Sequence, residues 1–209
     1  MRRMIGRPPF FLGLDLGQPQ DYTAIAVLER PVSKMTRPTY HLRHLERPPL
    51  GTPYPAIVDR VRELMSDDFL GKNWRAYLVA DATGVGPAVI NLFRQAGLHP
   101  LEVTITGGVT ETHEGNDWQV PKRDLASVIH ILLQTKRLKI AESLALGPIL
   151  GEELPSFQAK SNPQPDSYEA WREGQHDDLV LAVALACWWG EWGWRPPPPR
   201  VQVRILRGA

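Results

Sequence analysis

Short apolar runs bounded by proline and glycine alternate along the chain with longer stretches of helical spacing. Residues 10–17 form an apolar run with one acid inside it, between Leu14 and Leu16, and read as a buried strand. Residues 22–29 alternate and carry β-branched side chains, which predicts a second strand, and the turn Gln18-Pro19-Gln20-Asp21 makes the two a hairpin. Residues 39–46 read as a third strand. Ile57, Val58, Val61, Leu64 and Met65 fall at helical spacing within residues 54–65. Residues 75–81 read as a strand ending in an acid, followed by the turn Thr83-Gly84-Val85-Gly86-Pro87. Pro87 suits the first turn of a helix reaching about Ala96. Residues 101–106 predict another strand, and a polar loop then runs to about Val120. An amphipathic helix is expected over residues 121–135, and a helix interrupted by Gly147-Pro148, Gly151 and Pro155 over residues 145–158. Residues 177–189 predict a long apolar helix with two acids at its start.

Hairpin, third strand, and then strands alternating with helices predict an α/β fold. Its mixed central sheet would join antiparallel strands 1–3 to parallel strands, with helices on both faces. A chain of 209 residues suits one domain with a sizeable core. Residues 1–195 are expected to form it, leaving 196–209 as a proline-rich basic tail. Twenty prolines fall mostly between the expected elements, where a missing N–H costs nothing.

Lys and Arg number 24 against 23 Asp and Glu, a net charge of +1, which excludes a strongly basic coat but leaves room for local basic patches. A single cysteine, Cys187, excludes an internal disulfide framework and a Cys-rich zinc site, and its apolar helix predicts an inert buried thiol. No apolar run approaches the roughly 20 residues of a membrane span, and no export signal follows the first residues, so a soluble cytoplasmic protein is expected.

Three positions place acids where apolar residues belong. Asp15 interrupts the first strand, and a carboxylate there is costly unless it is paired or binds a cation. Asp81 ends a later strand just before a glycine-containing turn, where open α/β sheets place their sites, although an Asx-turn role is equally open to it. Asp177 and Asp178 begin the last helix, where either can serve as an N-cap. Strands one and four as parallel neighbours, crossed by the last helix, would bring these acids to one spot. Carboxylates that close cannot all stay ionised without a cation. An oxygen-only donor set suits Mg²⁺ or Mn²⁺, and two such ions can activate a water and stabilise the leaving oxygen of a phosphodiester.

The segments GLDLGQPQDYTAIAVLE, YLVADATGVG, VPKRDL and GQHDDLVLAVALA occur in this order, and with them the chain resembles the nuclease domain of the large terminase subunit of tailed bacteriophages. The resemblance spans residues 10–189. It implies an RNase H-like fold, shared with resolvases of the RuvC type, and metal-dependent cutting of double-stranded DNA during genome packaging. Carried over by motif, it implies Asp15 and Asp81 as metal ligands and a third ligand within Asp177-Asp178. Asp178 is the expected direct ligand, with Asp177 supporting it and His176 nearby. The cytoplasm would then be that of a phage's host. The family's full-length subunit also carries an ATPase motor with a phosphate loop, and this chain has no such motif. A fragment of a larger terminase or a separately encoded nuclease is therefore expected, without ATP-driven translocation.

Lys122 and Arg123 open a predicted helix after a polar loop and are candidate phosphate contacts, as are Lys160 and Arg172 beside the hairpin that the resemblance places before the His-Asp-Asp motif. Lys136, Arg137 and Lys139 suit a helix C-terminus as well as DNA. Gln18, Asp21 and Thr23 are expected to shape the first turn, and His113 and His130 to stand apart from the chemistry. Trp188, Trp189, Trp192 and Trp194 crowd the end of the last helix, where aromatic packing is the expected role. Expected partners are double-stranded DNA and, in a packaging setting, a portal protein, a small terminase subunit or a separate ATPase motor. Two alternatives compete with the terminase-like nuclease. One is a structure-selective resolvase of the same fold, and the other is a non-catalytic module that binds DNA or the portal.

Overall fold

A computed structural model describes residues 9–18, 20–31, 37–70, 75–160 and 177–193. Among these residues the strands form one eight-stranded mixed sheet in the order β6-β7-β5-β4-β1-β2-β3-β8. β1 (Pro9–Asp15), β2 (Ala24–Glu29) and β3 (Tyr40–Glu46) make an antiparallel meander, and the backbone N–H of Asp21 donates to the Gln18 carbonyl in the first turn. β4 (Arg75–Asp81) lies parallel to β1 on its other side, followed outward by parallel β5 (Leu101–Thr106) and β7 (Asp117–Pro121).

Three strands have no counterpart in the sequence pattern. The region read as a polar loop holds the hairpin of β6 (Thr112–Glu114) and β7, and β8 (Leu138–Ile140) pairs in parallel with β3. β6 and β8 have three residues each, too few for a period-2 signal, and β7 alternates only from Asp117 to Val120 before ending in proline. Neighbouring strands, not their own composition, hold them in the sheet. β1 also stops sooner than its apolar run suggests, so Asp15 is its last residue and not an interior one.

Helices cover both faces. α1 (Tyr54–Leu64) and α3 (Gly86–Gln95) bury Ile57, Val61, Ile90 and Phe93 against the side of the sheet that carries Leu12, Leu14, Leu78 and Ala80. A short helix, α2 (Asp67–Leu70), follows α1. The opposite side receives α4 (Lys122–Gln134), α5 (Gly147–Lys160) and α6 (Asp178–Trp188) over Phe11, Val79, Val103 and Ala26. α5 continues through Pro155, which the sequence pattern treats as a break.

α6 is buried along its whole length. A helix apolar all round must be covered all round, and here the sheet lies beneath it with α4 and α5 beside it. Small residues let it sit close to the strands. A Cβ added to Gly13 would lie 1.8 Å from the carbonyl oxygen of Ala182. A π-helical turn, Trp189–Gly193, ends the described chain. It is tied to the sheet through Glu191, which accepts from the Tyr40 hydroxyl at 2.7 Å and from Arg137 at 2.7 and 2.9 Å.

Candidate metal centre

Strand periodicity decides which way the acids face. Phe11 packs against α6, so Gly13 and Asp15, two and four residues on, share its side of β1. Val79 packs on that side of β4, so Asp81 does the same. Leu14 pairs with Ala80 in the parallel ladder, which places Asp15 and Asp81 side by side at the strand ends. Gly13 meets Ala182, and one helical turn before Ala182 is Asp178. Two strand residues and four helix residues both advance roughly 6–7 Å, so the N-terminus of α6 arrives over the ends of β1 and β4.

Asp15 registers this convergence. Burial, followed by the negative charges of Asp81, Asp178, Asp177 and Asp21 in that order, holds its carboxyl well above the usual carboxylate range. Part of the residue's surface is accessible, but its carboxylate is set deep among protein atoms. Asp81 is buried, and its Oδ1 accepts the Thr83 N–H at 2.7 Å. Asp81 thus forms the Asx turn open to it while facing the acid cluster. The Thr83 hydroxyl accepts the Ile105 N–H at 2.8 Å and ties that turn to β5. Thr23 shapes the β1–β2 turn as expected, its hydroxyl accepting the Gly17 N–H at 3.1 Å.

The N-cap role open to the paired acids is filled from elsewhere. Asp177 occupies the cap position but makes no capping hydrogen bond with its side chain. Glu153, from α5, reaches across, and its Oε2 accepts the Val180 N–H at 3.3 Å. Burial and then Asp178 push the Glu153 carboxyl upward, opposed by Arg47. Arg47, just past β3, donates from Nε to Asp178 Oδ2 at 2.6 Å and from Nη2 to Glu153 Oε1 at 2.5 Å. Neither Arg47 nor Glu153 stands out in the sequence. Arg47 sits beside a proline pair and Glu153 beside a second glutamate on an interrupted helix, and only the crossing of α5, α6 and β3 joins them.

Lys122, at the start of α4, turns inward. Its Nζ is 3.6 Å from Asp177 Oδ2 and 5.1 Å from the centre of the Phe157 ring. Arg123 is exposed and donates to the Val109 carbonyl at 2.6 Å. Lys160 ends α5. His176, Arg172, Trp194 and residues 196–209 lie outside the described residues. Lys136 occupies a left-handed turn, Lys139 is exposed on β8, and Arg137 is bound to Glu191. His130 is exposed, and His113 stacks on Trp118 at a ring separation of 4.1 Å. Trp188 packs against Trp118 and Trp189 and donates to Glu111 at 3.0 Å, so both Trp188 and Trp189 serve packing. Burial pushes the Cys187 thiol well up, leaving it inert.

Among the described residues, no three His, Cys, Asp or Glu side chains are drawn together tightly enough to hold an ion as they stand. Arg47 instead takes both oxygens of Asp178. The donor chemistry nevertheless fits a hard divalent cation. The donors are all carboxylate oxygens, and one of them, Asp15, is destabilised when ionised beside its neighbours.

These observations define an RNase H-like α/β fold, with carboxylates gathered where parallel β1 and β4 end beneath the last helix. Solved structures similar over most of the chain include two terminase nucleases. The large terminase nuclease from thermophilic phage G20c superposes with a TM-score of 0.54 at 21% identity, covering 91% of this chain and 90% of that one. The manganese-soaked human cytomegalovirus terminase nuclease domain gives 0.51 at 16% identity, covering 86% and 82%. At these identities the likeness is one of fold. No protein-family model matches the chain, and no curated protein matches its sequence.

Proposed function

We propose that this protein is a divalent-metal-dependent endonuclease that hydrolyses double-stranded DNA with low sequence specificity, the activity required in viral genome packaging. The observation that carries this reading is the gathering of Asp81, Asp178 and Asp177 around the buried Asp15 carboxylate. The similar structures are terminase nucleases, one of them soaked with manganese, and this supports the choice of reaction and of Mg²⁺ or Mn²⁺.

Asp15 and Asp81 are the fixed side of the site, because both end strands of the central ladder. Asp177 and Asp178 supply the third side from α6, with Asp178 as the direct ligand and Asp177 in support. Two bound divalent ions would activate a water and neutralise charge on the departing 3′ oxygen. Lys122, beside Asp177, moderates the local negative charge through which a phosphodiester must approach. Arg123 is exposed, and beside its contacts to the Val109 carbonyl and Asp124 its guanidinium has further donors for a phosphate. DNA contacts of this kind go to the backbone, so little base discrimination is expected. In a packaging setting, a portal, a small terminase subunit or a separate motor would deliver the DNA.

Incubating supercoiled plasmid with the protein in Mn²⁺, in Mg²⁺ and in chelator tests the reading. Nicked, then linear, then degraded DNA is expected with metal and none with chelator. Asp81→Ala should remain folded and lose on the order of a thousandfold in rate, since metal stabilisation of the transition state is worth several kcal/mol. Undiminished metal-dependent cutting by Asp81→Ala would sink the assignment.

A further inference from the structure

Arg47 brings a positive charge to the edge of the acid cluster. Its fork takes both oxygens of Asp178, Nε at 2.6 Å from Oδ2 and Nη2 at 3.0 Å from Oδ1, while Nη2 also reaches Glu153 Oε1 at 2.5 Å. The Arg47 side chain is only 15% exposed and Asp178 only 8%, so water screens these contacts poorly. Glu153 in turn holds the Val180 N–H, which fixes the pair to the first turn of α6. The guanidinium also stands 5.1 Å from the centre of the Tyr22 ring, just past the β1–β2 turn. It is held from β3, from α5 and α6, and from the hairpin that carries Asp15.

A planar fork on a carboxylate and a divalent ion on that carboxylate compete for the same lone pairs. We propose that Arg47 is a positioning residue with a resident counter-charge. It keeps Asp178 in place while the cluster lacks metal, and it competes with a divalent cation for the Asp178 oxygens. The inference rests on the metal-dependent reading above and adds a residue that sets how much metal the site needs. Removing the guanidinium takes one positive charge from the edge of the cluster and removes its two hydrogen bonds to the Asp178 oxygens, so a divalent cation should bind more tightly. In a chain without metal, its loss takes away the cation that bridges Asp178 and Glu153.

Mn²⁺ titrations of the wild-type protein, Arg47→Gln and Arg47→Lys, followed by the electron paramagnetic resonance signal of free Mn²⁺, test this without any nuclease assay. Circular dichroism would establish that each variant is folded. Arg47→Gln is expected to bind Mn²⁺ about threefold or more tightly than wild type. Arg47→Lys, which keeps the charge and loses the fork, should fall between the two. Metal-free Arg47→Gln should melt below wild type and recover more stability on adding Mn²⁺. Wild-type binding with equal or weaker binding by a folded Arg47→Gln overturns the role of Arg47 and leaves the metal centre standing. Absence of binding in every variant overturns both. Binding by Arg47→Gln alone supports the competition in its strongest form. Should Arg47→Gln not fold, Arg47→Lys decides: tighter binding than wild type supports the proposal, and equal or weaker binding ends it.

Discussion

Asp15 is a carboxylic acid whose chemistry departs well from the ordinary. Burial and the charges of Asp81, Asp178, Asp177 and Asp21 raise its proton affinity in the folded chain above the ordinary value of 3.8. The unfolded chain releases this proton near pH 4, while the folded chain keeps it to higher pH. In that window the folded state binds more protons, so this group's contribution to stability falls as pH rises and stays low above the folded value. Asp15→Asn removes the penalty. In chelator at neutral pH, Asp15→Asn should melt above wild type, with the difference shrinking as pH falls toward 4. It should also lose the stabilisation that Mn²⁺ gives wild type, a contrast that thermal melts across pH would show. A variant that melts below wild type at neutral pH would mean the carboxylate has a structural partner. The sequence made Asp15 conspicuous because an acid beside leucines has few ordinary roles. It did not reveal that Asp15 ends its strand, because Leu16 continues the apolar run beyond the ladder.

Helix α6 joins core and site in one element. Its apolar residues and its two leading acids are plain in the sequence, and so is its extent to within a residue at each end. How closely it lies against β1 is not, because the approach depends on a glycine that a strand pattern treats as a weakness. Gly13→Ala would put a Cβ 1.8 Å from the Ala182 carbonyl oxygen, a backbone atom of a buried helix that cannot step aside. The expected cost is about 3 kcal/mol, at the high end for overpacking, measured by denaturant unfolding. Because α6 carries Asp177 and Asp178, a folded Gly13→Ala protein should also bind Mn²⁺ more weakly, whereas a change confined to the core would leave binding unaltered. The capping of α6 is equally a matter between elements. Two acids at a helix start suggest local caps, yet the carboxylate that caps the turn comes from α5.

At the scale of the whole molecule, a net charge of +1 leaves no global field to draw DNA in, so association must depend on local cations. Binding of duplex DNA by the Asp81→Ala protein, which the proposed function expects not to cut, should therefore weaken steeply with salt, with a slope reflecting a few phosphates. Two duplexes of unrelated sequence should bind within about threefold of each other, because phosphate contacts carry no sequence information. Fluorescence anisotropy at several salt concentrations measures both. A strong preference for one sequence, or for a four-way junction over linear duplex, would favour a resolvase. The sheet that organises the molecule is mixed, with an antiparallel meander on one side of β1 and parallel strands on the other. The order of hairpin, helices and strands in the sequence implies this arrangement. β8 stays hidden because its partner β3 is distant in the chain, and the β6–β7 hairpin because β6 is too short to set a pattern.

The sequence by itself determined the element types that carry the core, the α/β class and the candidate acids Asp15, Asp81, Asp177 and Asp178. Periodicity and misplaced charge are local properties, readable wherever a few residues set a pattern. Tertiary structure decided how near these acids come to Asp15, and among the described residues it does not draw three of them into a ready-made ion site. It also turned Lys122 inward, and it bound Arg47 and Glu153 into the same cluster. Those contacts join residues up to 131 positions apart, and separations of that size leave no trace in the spacing of neighbouring side chains.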